Sequence, residues 1–171
     1  MKKLLRLSMM ALVVASLFTV TGCRTKSYGD GASIGEEGWG TGDTPMSLDD
    51  FTKYPRVNQY FTPVYFAYDN YQIPSSEYGK IDSVVRFLQG DSSIVLIVEG
   101  HCDERGTIEY NLSLGDYRAQ SVRTYMSNAG ISSDRIQTTS FGKERPAVQG
   151  SGESVWSQNR RGEFALYRRG K

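Results

Sequence analysis

The spacing of apolar positions changes three times along the chain. Leu7 to Val20 is an apolar run broken only by Ser8, Ser16 and Thr19, and it follows the basic Lys2, Lys3 and Arg6. The run is shorter than the ~20-residue helix that crosses a bilayer, so it fits a secretory signal better than a membrane span. From Ala32 to about Gln59 no period holds. Six glycines from Gly29 to Gly42 stand close together among polar residues there or just before. Such a stretch loses much backbone entropy on ordering and has little apolar area to offset the loss, which predicts a tether.

Past Tyr60 the pattern becomes an alternation of strands and helices. Pro63 to Tyr68 is rich in β-formers, and Asp69-Asn70-Tyr71 closes it as a turn. Ser75 and Ser76 are candidate caps for a helix carrying Tyr78, Ile81, Val84, Val85 and Leu88 at helical spacing and stopping at Gly90. Ile94 to Val98 is continuously apolar, the mark of a central strand covered on both faces. A second helix is expected from Thr107 to Ala129, with Leu114, Val122, Tyr125, Met126 and Ala129 as its apolar stripe. Ile136 to Phe141 and Glu163 to Tyr167 are further strands, with a short helix near Ser154 to Arg160. The order β-α-β-α-β-(α)-β predicts an α/β class of the α+β sandwich type, with helices on one face of a mixed four-stranded sheet. The expected division is a signal segment over 1–22, a tether over 23–60 and a domain over 61–171.

Charge and cysteine count narrow the function. Removing Lys2, Lys3 and Arg6 with the signal takes the formal charge from +1 to −2, which argues against nucleic acid as a partner. Only Cys23 and Cys102 are present, so a disulfide scaffold is not expected. Val20-Thr21-Gly22-Cys23 resembles the lipobox of bacterial lipoproteins, which implies acylation at Cys23 and durable attachment to a lipid surface.

The chemistry is concentrated after the central strand. Asp103 sits where that strand ends, a common place for ligands of open α/β sheets. Asn111, Leu114 and Arg118 are three and four residues apart, on one face of the second helix. Free N–H groups near Thr107 to Glu109 favour a carboxylate. Asp103 and Arg118 either hold a ligand or pair with each other, or Asp103 merely caps a turn. Neither falls on the expected apolar stripe, so replacing either is expected to leave the fold intact. His101-Cys102-Asp103 suggests an enzyme, but neighbours on a strand point to opposite faces, so His101 does not activate Cys102. As the lone histidine, His101 offers no H-E-x-x-H metal site, and no carboxylates are paired for hydrolysis. Neither catalysis, nor a metal, nor a cofactor is expected.

The segment from Glu99 to Thr107, with Tyr110-Asn111, Leu114-Gly115, Arg118-Ala119, the run from Ser140 to Pro146 and Asn159-Arg160-Arg161, closely resembles the OmpA-like C-terminal domain family. More narrowly it is similar to the family's peptidoglycan-associated lipoproteins, over residues 62–168. Cys102 departs from the family's usual small residue, and Ala67 from a frequent aspartate. The resemblance implies a peptidoglycan-binding lipoprotein of the outer membrane, facing the periplasm, that ties the membrane to the wall. It implies a periplasmic Tol β-propeller protein as a partner. The alternatives are another envelope lipoprotein of the class, without Tol partners, and, less favoured, a cell-wall-modifying hydrolase. The site implied by the resemblance is for the diaminopimelate of the stem peptide: Asp103 for the ammonium and Arg118 as a two-pronged clamp for the carboxylate, chemistry lysine does not reproduce. Asn111 and Leu114 share that helix face. Asp69 and Asn70 form the groove wall or merely an Asx-turn, and one of Arg160 and Arg161 supports the site, with Arg161 the nominated contact. Arg24, after the acylated cysteine, is compatible with the outer membrane.

Overall fold

The computed structural model describes residues 47–170; the signal segment, Cys23 and the glycine-rich stretch lie outside the described residues. Strand β2 (Ile94–His101) runs through the centre, and its continuous apolar sequence is explained by cover on both sides. Leu96 and Val98 face helices α2 (Tyr78–Gly90) and α3 (Ile108–Asn128), in a core with Ile81, Leu88, Val122 and Met126. Val95 and Ile97 face the other way, onto Phe51 of the short helix α1 (Leu48–Thr52). Beside β2 lie β3 (Ile136–Gly142), parallel, and β4 (Arg161–Arg168), antiparallel. Strand β1 (Val64–Tyr65) pairs antiparallel with β4, giving the order β1-β4-β2-β3. Helix α4 (Glu153–Asn159) leads into β4. This is the expected mixed four-stranded sheet, with α2 and α3 on one face.

Two glycines set how closely α3 approaches the sheet. A Cβ on Gly100 of β2 would lie 1.9 Å from the Gly115 carbonyl oxygen, and one on Gly115 would lie 2.2 Å from Ser140 Oγ. Any side chain at either position pushes the helix off the strands, and with it everything the helix carries.

Three expectations need correction. Ordered structure begins before residue 61. Phe51 is fully buried, the Val57 N–H donates to the Leu166 carbonyl at 2.8 Å, and Arg56 bridges Tyr167. The apolar residues of this segment follow no regular period, so periodicity did not reveal them. Strand β1 stops at Tyr65 because the next carbonyls leave the ladder: Phe66 O accepts from Arg160 Nε at 3.0 Å and Ala67 O from Arg118 at 3.1 Å. Ser75 and Ser76 cap nothing; they belong to a 3₁₀ turn over Ser75–Glu77. Glu77 folds back, accepting from the Tyr65 N–H at 2.8 Å and from Lys80 at 2.7 Å.

Candidate functional site

The site is built where β2 ends. Thr107 caps α3, its hydroxyl accepting from the Tyr110 N–H at 3.2 Å. Asn111, one turn into the helix, donates to the carbonyls of Arg105 at 2.7 Å and Thr107 at 2.9 Å. The side chain of Asn111 thus staples the loop from Asp103 to Gly106 against the helix. Leu114 follows on the same face, and Arg118 lies one further turn along. Between helix and loop is a pocket of about 50 Å³, bordered by Asp69, Asp103, Arg105, Asn111, Leu114 and Arg118.

Asp103 is 4 % exposed and already engaged. Its Oδ1 accepts from the backbone N–H and Nε of Arg105, both at 3.1 Å. Its Oδ2 accepts from the Arg105 terminal nitrogen at 2.5 Å and from Arg160 at 3.3 Å. Burial alone pushes the Asp103 carboxyl up, but the bonds from Arg105 and Arg160 outweigh it and hold the group below the usual carboxylate range. The Arg105 guanidinium is in turn sandwiched between rings, 3.9 Å from the Tyr68 centroid and 4.0 Å from that of Trp156. Trp156 is fixed by Glu104, which accepts from its indole N–H at 2.9 Å.

Arg118 is fully buried, on the face of α3 that also presents Ala119, Val122 and Met126 to the core. The expectation that it lies off the core-facing stripe is therefore wrong. Its Nε donates to Asn70 O at 2.9 Å, and its terminal nitrogens donate to His101 O at 2.8 Å, Ala67 O at 3.1 Å and Cys102 Sγ at 3.3 Å. Four of its five N–H groups are thereby spent. The two-pronged clamp expected of it is not free; at most one N–H remains. Arg118 does not pair with Asp103, and among the described residues it forms no ion pair at all. Burial lowers its affinity for the proton.

The structure brings Asp69, Asn70, Asp103, Asn111, Leu114 and Arg118 together. Asp69 has a positive φ of 51° and accepts a hydrogen bond from the exposed Tyr110 hydroxyl. Asn70 forms an Asx-turn to the Gln72 N–H at 2.6 Å while its carbonyl holds Arg118. Arg161 is not part of the cluster. It lies on the opposite face of the sheet, donating to Glu163 at 2.5 Å and to the carbonyls of Asn159 and Arg145, both at 3.2 Å. Its neighbour Arg160 is the one that reaches Asp103, because successive β residues point to opposite faces. Sequence patterning gave no role to Arg105, Tyr68 or Trp156. The first stands inside the quoted motif, but the ring that covers it comes from a helix 50 residues away.

The face bearing Arg161 holds a second polar cluster. Glu99, His101 and Glu163 bring ligand atoms within 4.8 Å of one another, a group able in principle to hold a metal ion. Arg161 already occupies Glu163, and Arg145, stacked 3.6 Å over Phe141, adds a second positive charge beside it. A divalent cation would meet that repulsion. His101 is 2 % exposed, and neither ring nitrogen makes a hydrogen bond of normal geometry. Burial, then the Arg161 charge, push His101 down to about 4. Cys102 faces the other way, with its thiol pushed up to about 11 by burial, an inert group.

A four-stranded sheet with two covering helices and a charged pocket at the end of its central strand defines an OmpA-like domain, and the comparison with known families agrees. The OmpA family model matches residues 65–160, more than half of the chain, which therefore belongs to the OmpA family. Within that family it is similar to peptidoglycan-associated lipoproteins. The Haemophilus influenzae protein of that name is 32 % identical over 96 % of this chain and 99 % of its own length. That of Pseudomonas aeruginosa is 33 % identical over 95 % and 98 %. The crystal structure of the Burkholderia pseudomallei peptidoglycan-associated lipoprotein superposes with a TM-score of 0.59 at 35 % identity, covering 61 % of this chain and 88 % of that one. The C-terminal domain of Helicobacter pylori MotB shares the fold, with a TM-score of 0.55 at 18 % identity. Members of this family bind rather than catalyse, and the chain is not an enzyme.

Proposed function

We propose that the chain is a lipoprotein of the outer membrane that binds peptidoglycan non-covalently and holds the membrane to the wall. Acylated Cys23 is the lipid end. The domain is the wall end, with the diaminopimelate of the stem peptide as its ligand and a Tol β-propeller protein as a further partner. The observation that carries this reading is Arg118: a fully buried cation with no carboxylate partner, beside a pocket whose other wall is Asp103. A buried charge that no carboxylate touches, with Asp103 and Asp69 acting on it only through space, is costly, and an anionic ligand group lowers the cost. Diaminopimelate supplies a carboxylate and an ammonium on one carbon. The carboxylate takes the remaining N–H of Arg118. The ammonium competes for Asp103 with the Arg105 guanidinium, which holds that place in the free protein.

Calorimetry with a diaminopimelate-containing stem peptide tests this. Asp103→Ala is expected to weaken binding roughly 30-fold or more, from the ~2–5 kcal/mol carried by a desolvated charge contact. Wild-type affinity in a folded Asp103→Ala variant would refute the assignment.

A further inference from the structure

Beyond the charged pocket, a second groove opens on the outer face of α3. It encloses about 560 Å³, within the span of roughly 300–1,000 Å³ typical of small-ligand clefts. Tyr71, Tyr78 and Tyr117 supply rings, and Gln72, Gln120 and Thr124 supply amides and a hydroxyl. Tyr71 and Tyr117 are 49 % and 57 % exposed, with ring centroids 5.5 Å apart and planes inclined at 38°. They form a bent aromatic platform open to solvent. Tyr78, at the groove wall, stacks on Tyr125 at 4.8 Å, and the Tyr125 hydroxyl donates to Asp82 at 2.8 Å, which fixes that side.

The two grooves differ in charge. The pocket at Asp103 is bordered by two aspartates and two arginines. The lining of the outer groove carries no ionisable acid or base other than tyrosine. A neutral ligand with flat apolar faces and many hydroxyls matches such a lining: C–H faces pack on rings, and hydroxyls and acetamides bond to amides. That is the chemistry of a pyranose. The grooves are also built from the same two chain segments. Arg118 and its acceptor Asn70 belong to the first, and their immediate neighbours Tyr117 and Tyr71 make the platform of the second.

We propose that the Tyr71–Tyr117 platform binds an N-acetylated amino sugar of the glycan strand while the Asp103 pocket holds the stem peptide attached to it. The inference rests on the stem-peptide reading above and adds a carbohydrate subsite to it. Recognition then covers two chemically different parts of one polymer, a charged peptide end and a neutral sugar.

The test compares two ligands on the full-length chain in detergent by calorimetry: the free stem peptide, and the same peptide on its N-acetylglucosamine–N-acetylmuramic acid disaccharide. Wild type is expected to bind the disaccharide form about tenfold more tightly. Tyr71→Ala with Tyr117→Ala is expected to erase that difference and leave free-peptide binding unchanged, whereas Tyr71→Phe with Tyr117→Phe retains it. Asp103→Ala weakens both ligands if the stem-peptide reading holds, and its failure to do so would sink that reading separately. Equal wild-type affinity for the two ligands overturns the subsite. So does a double alanine variant that keeps the preference, or one that loses free peptide equally. A double alanine variant that keeps the preference but no longer binds the β-propeller partner overturns it in favour of a protein-docking surface.

Discussion

On the helix-covered side of β2, Arg118 is wholly buried, bonded to three backbone carbonyls and a thiol, and meets no carboxylate. On the opposite side Arg161 is as deeply buried but is paired with Glu163, beside Glu99 and His101. Both arginines belong to the motif that carries the family resemblance, and both have their hydrogen bonds largely filled. They differ in charge balance. The Arg161 cluster neutralises itself and needs nothing from outside. Arg118 is oriented and held, yet no carboxylate touches it; Asp103 and Asp69 act on it only through space. Hydrogen-bond satisfaction therefore does not separate the two arginines; a direct carboxylate contact does.

The widest break in that comparison is Arg118→Ala. It strips the donors from the carbonyls of Ala67, Asn70 and His101, each worth about 1–3 kcal/mol when left buried and unbonded. A loss of about 3 kcal/mol or more in urea-denaturation stability is expected, along with ligand binding. Stability unchanged within about 0.5 kcal/mol would show that water replaces the guanidinium, and that the residue serves the ligand alone.

Acid probes the opposite cluster. Folded His101 stays neutral until about pH 4, whereas an unfolded histidine takes up its proton near 6.5. Between those values the unfolded chain binds more protons, so stability falls as pH drops from 6.5 towards 4, by roughly 3 kcal/mol from this residue. His101→Asn is expected to flatten denaturation midpoints over that window. An unaltered slope would mean that Glu99 and Glu163 stabilise the imidazolium enough to cancel its burial.

The smallest effect is expected for Glu163→Gln. Arg161 is buried, but the Glu163 carboxylate is 38 % exposed, so solvent screens the pair and its contribution is about 1 kcal/mol. It leaves Arg161 without its counter-charge, so stem-peptide affinity should not change while stability dips slightly. A gain of anion binding on that face, read by a phosphate titration followed by NMR, would show that charge balance alone separates the two arginines.

Much of this architecture was legible in the sequence, for identifiable reasons. The continuous apolar run of β2 and the stripes of α2 and α3 follow from burial, and the site lay in a contiguous motif. What escaped depends on non-local contact. Arg118 reads as a polar residue on a helix but lies on its core face, because distant carbonyls at Ala67 and Asn70 bend inward to receive it. Periodicity does not distinguish Arg160 from Arg161; the geometry where the chain enters β4 does, and it favours Arg160 over the nominated Arg161. Trp156 reaches Arg105 only after α4 folds across the loop. Phe51, packed mainly on β2, and Val57, bonded to β4, were placed in the expected tether; their isolated contacts leave no period.

That last segment has a mechanical consequence. The chain joins the sheet beside the C-terminal end of β4, where Pro55 O accepts from the Arg168 N–H at 3.0 Å and Val57 pairs with Leu166. The charged pocket lies at the other end of the same strand, where Arg160 meets Asp103. Were the protein held by its N-terminus and by its pocket, as proposed above, tension would enter at one end of β4 and leave at the other. It would run parallel to the strands, across the seven β2–β4 residue pairs from Ile94↔Arg168 to Gly100↔Gly162. Hydrogen bonds loaded this way share the force and yield together, whereas a chain entering beside the pocket would be peeled off one bond at a time. The domain is thus strung like a rope through a cleat, along the direction in which a β-sheet resists most.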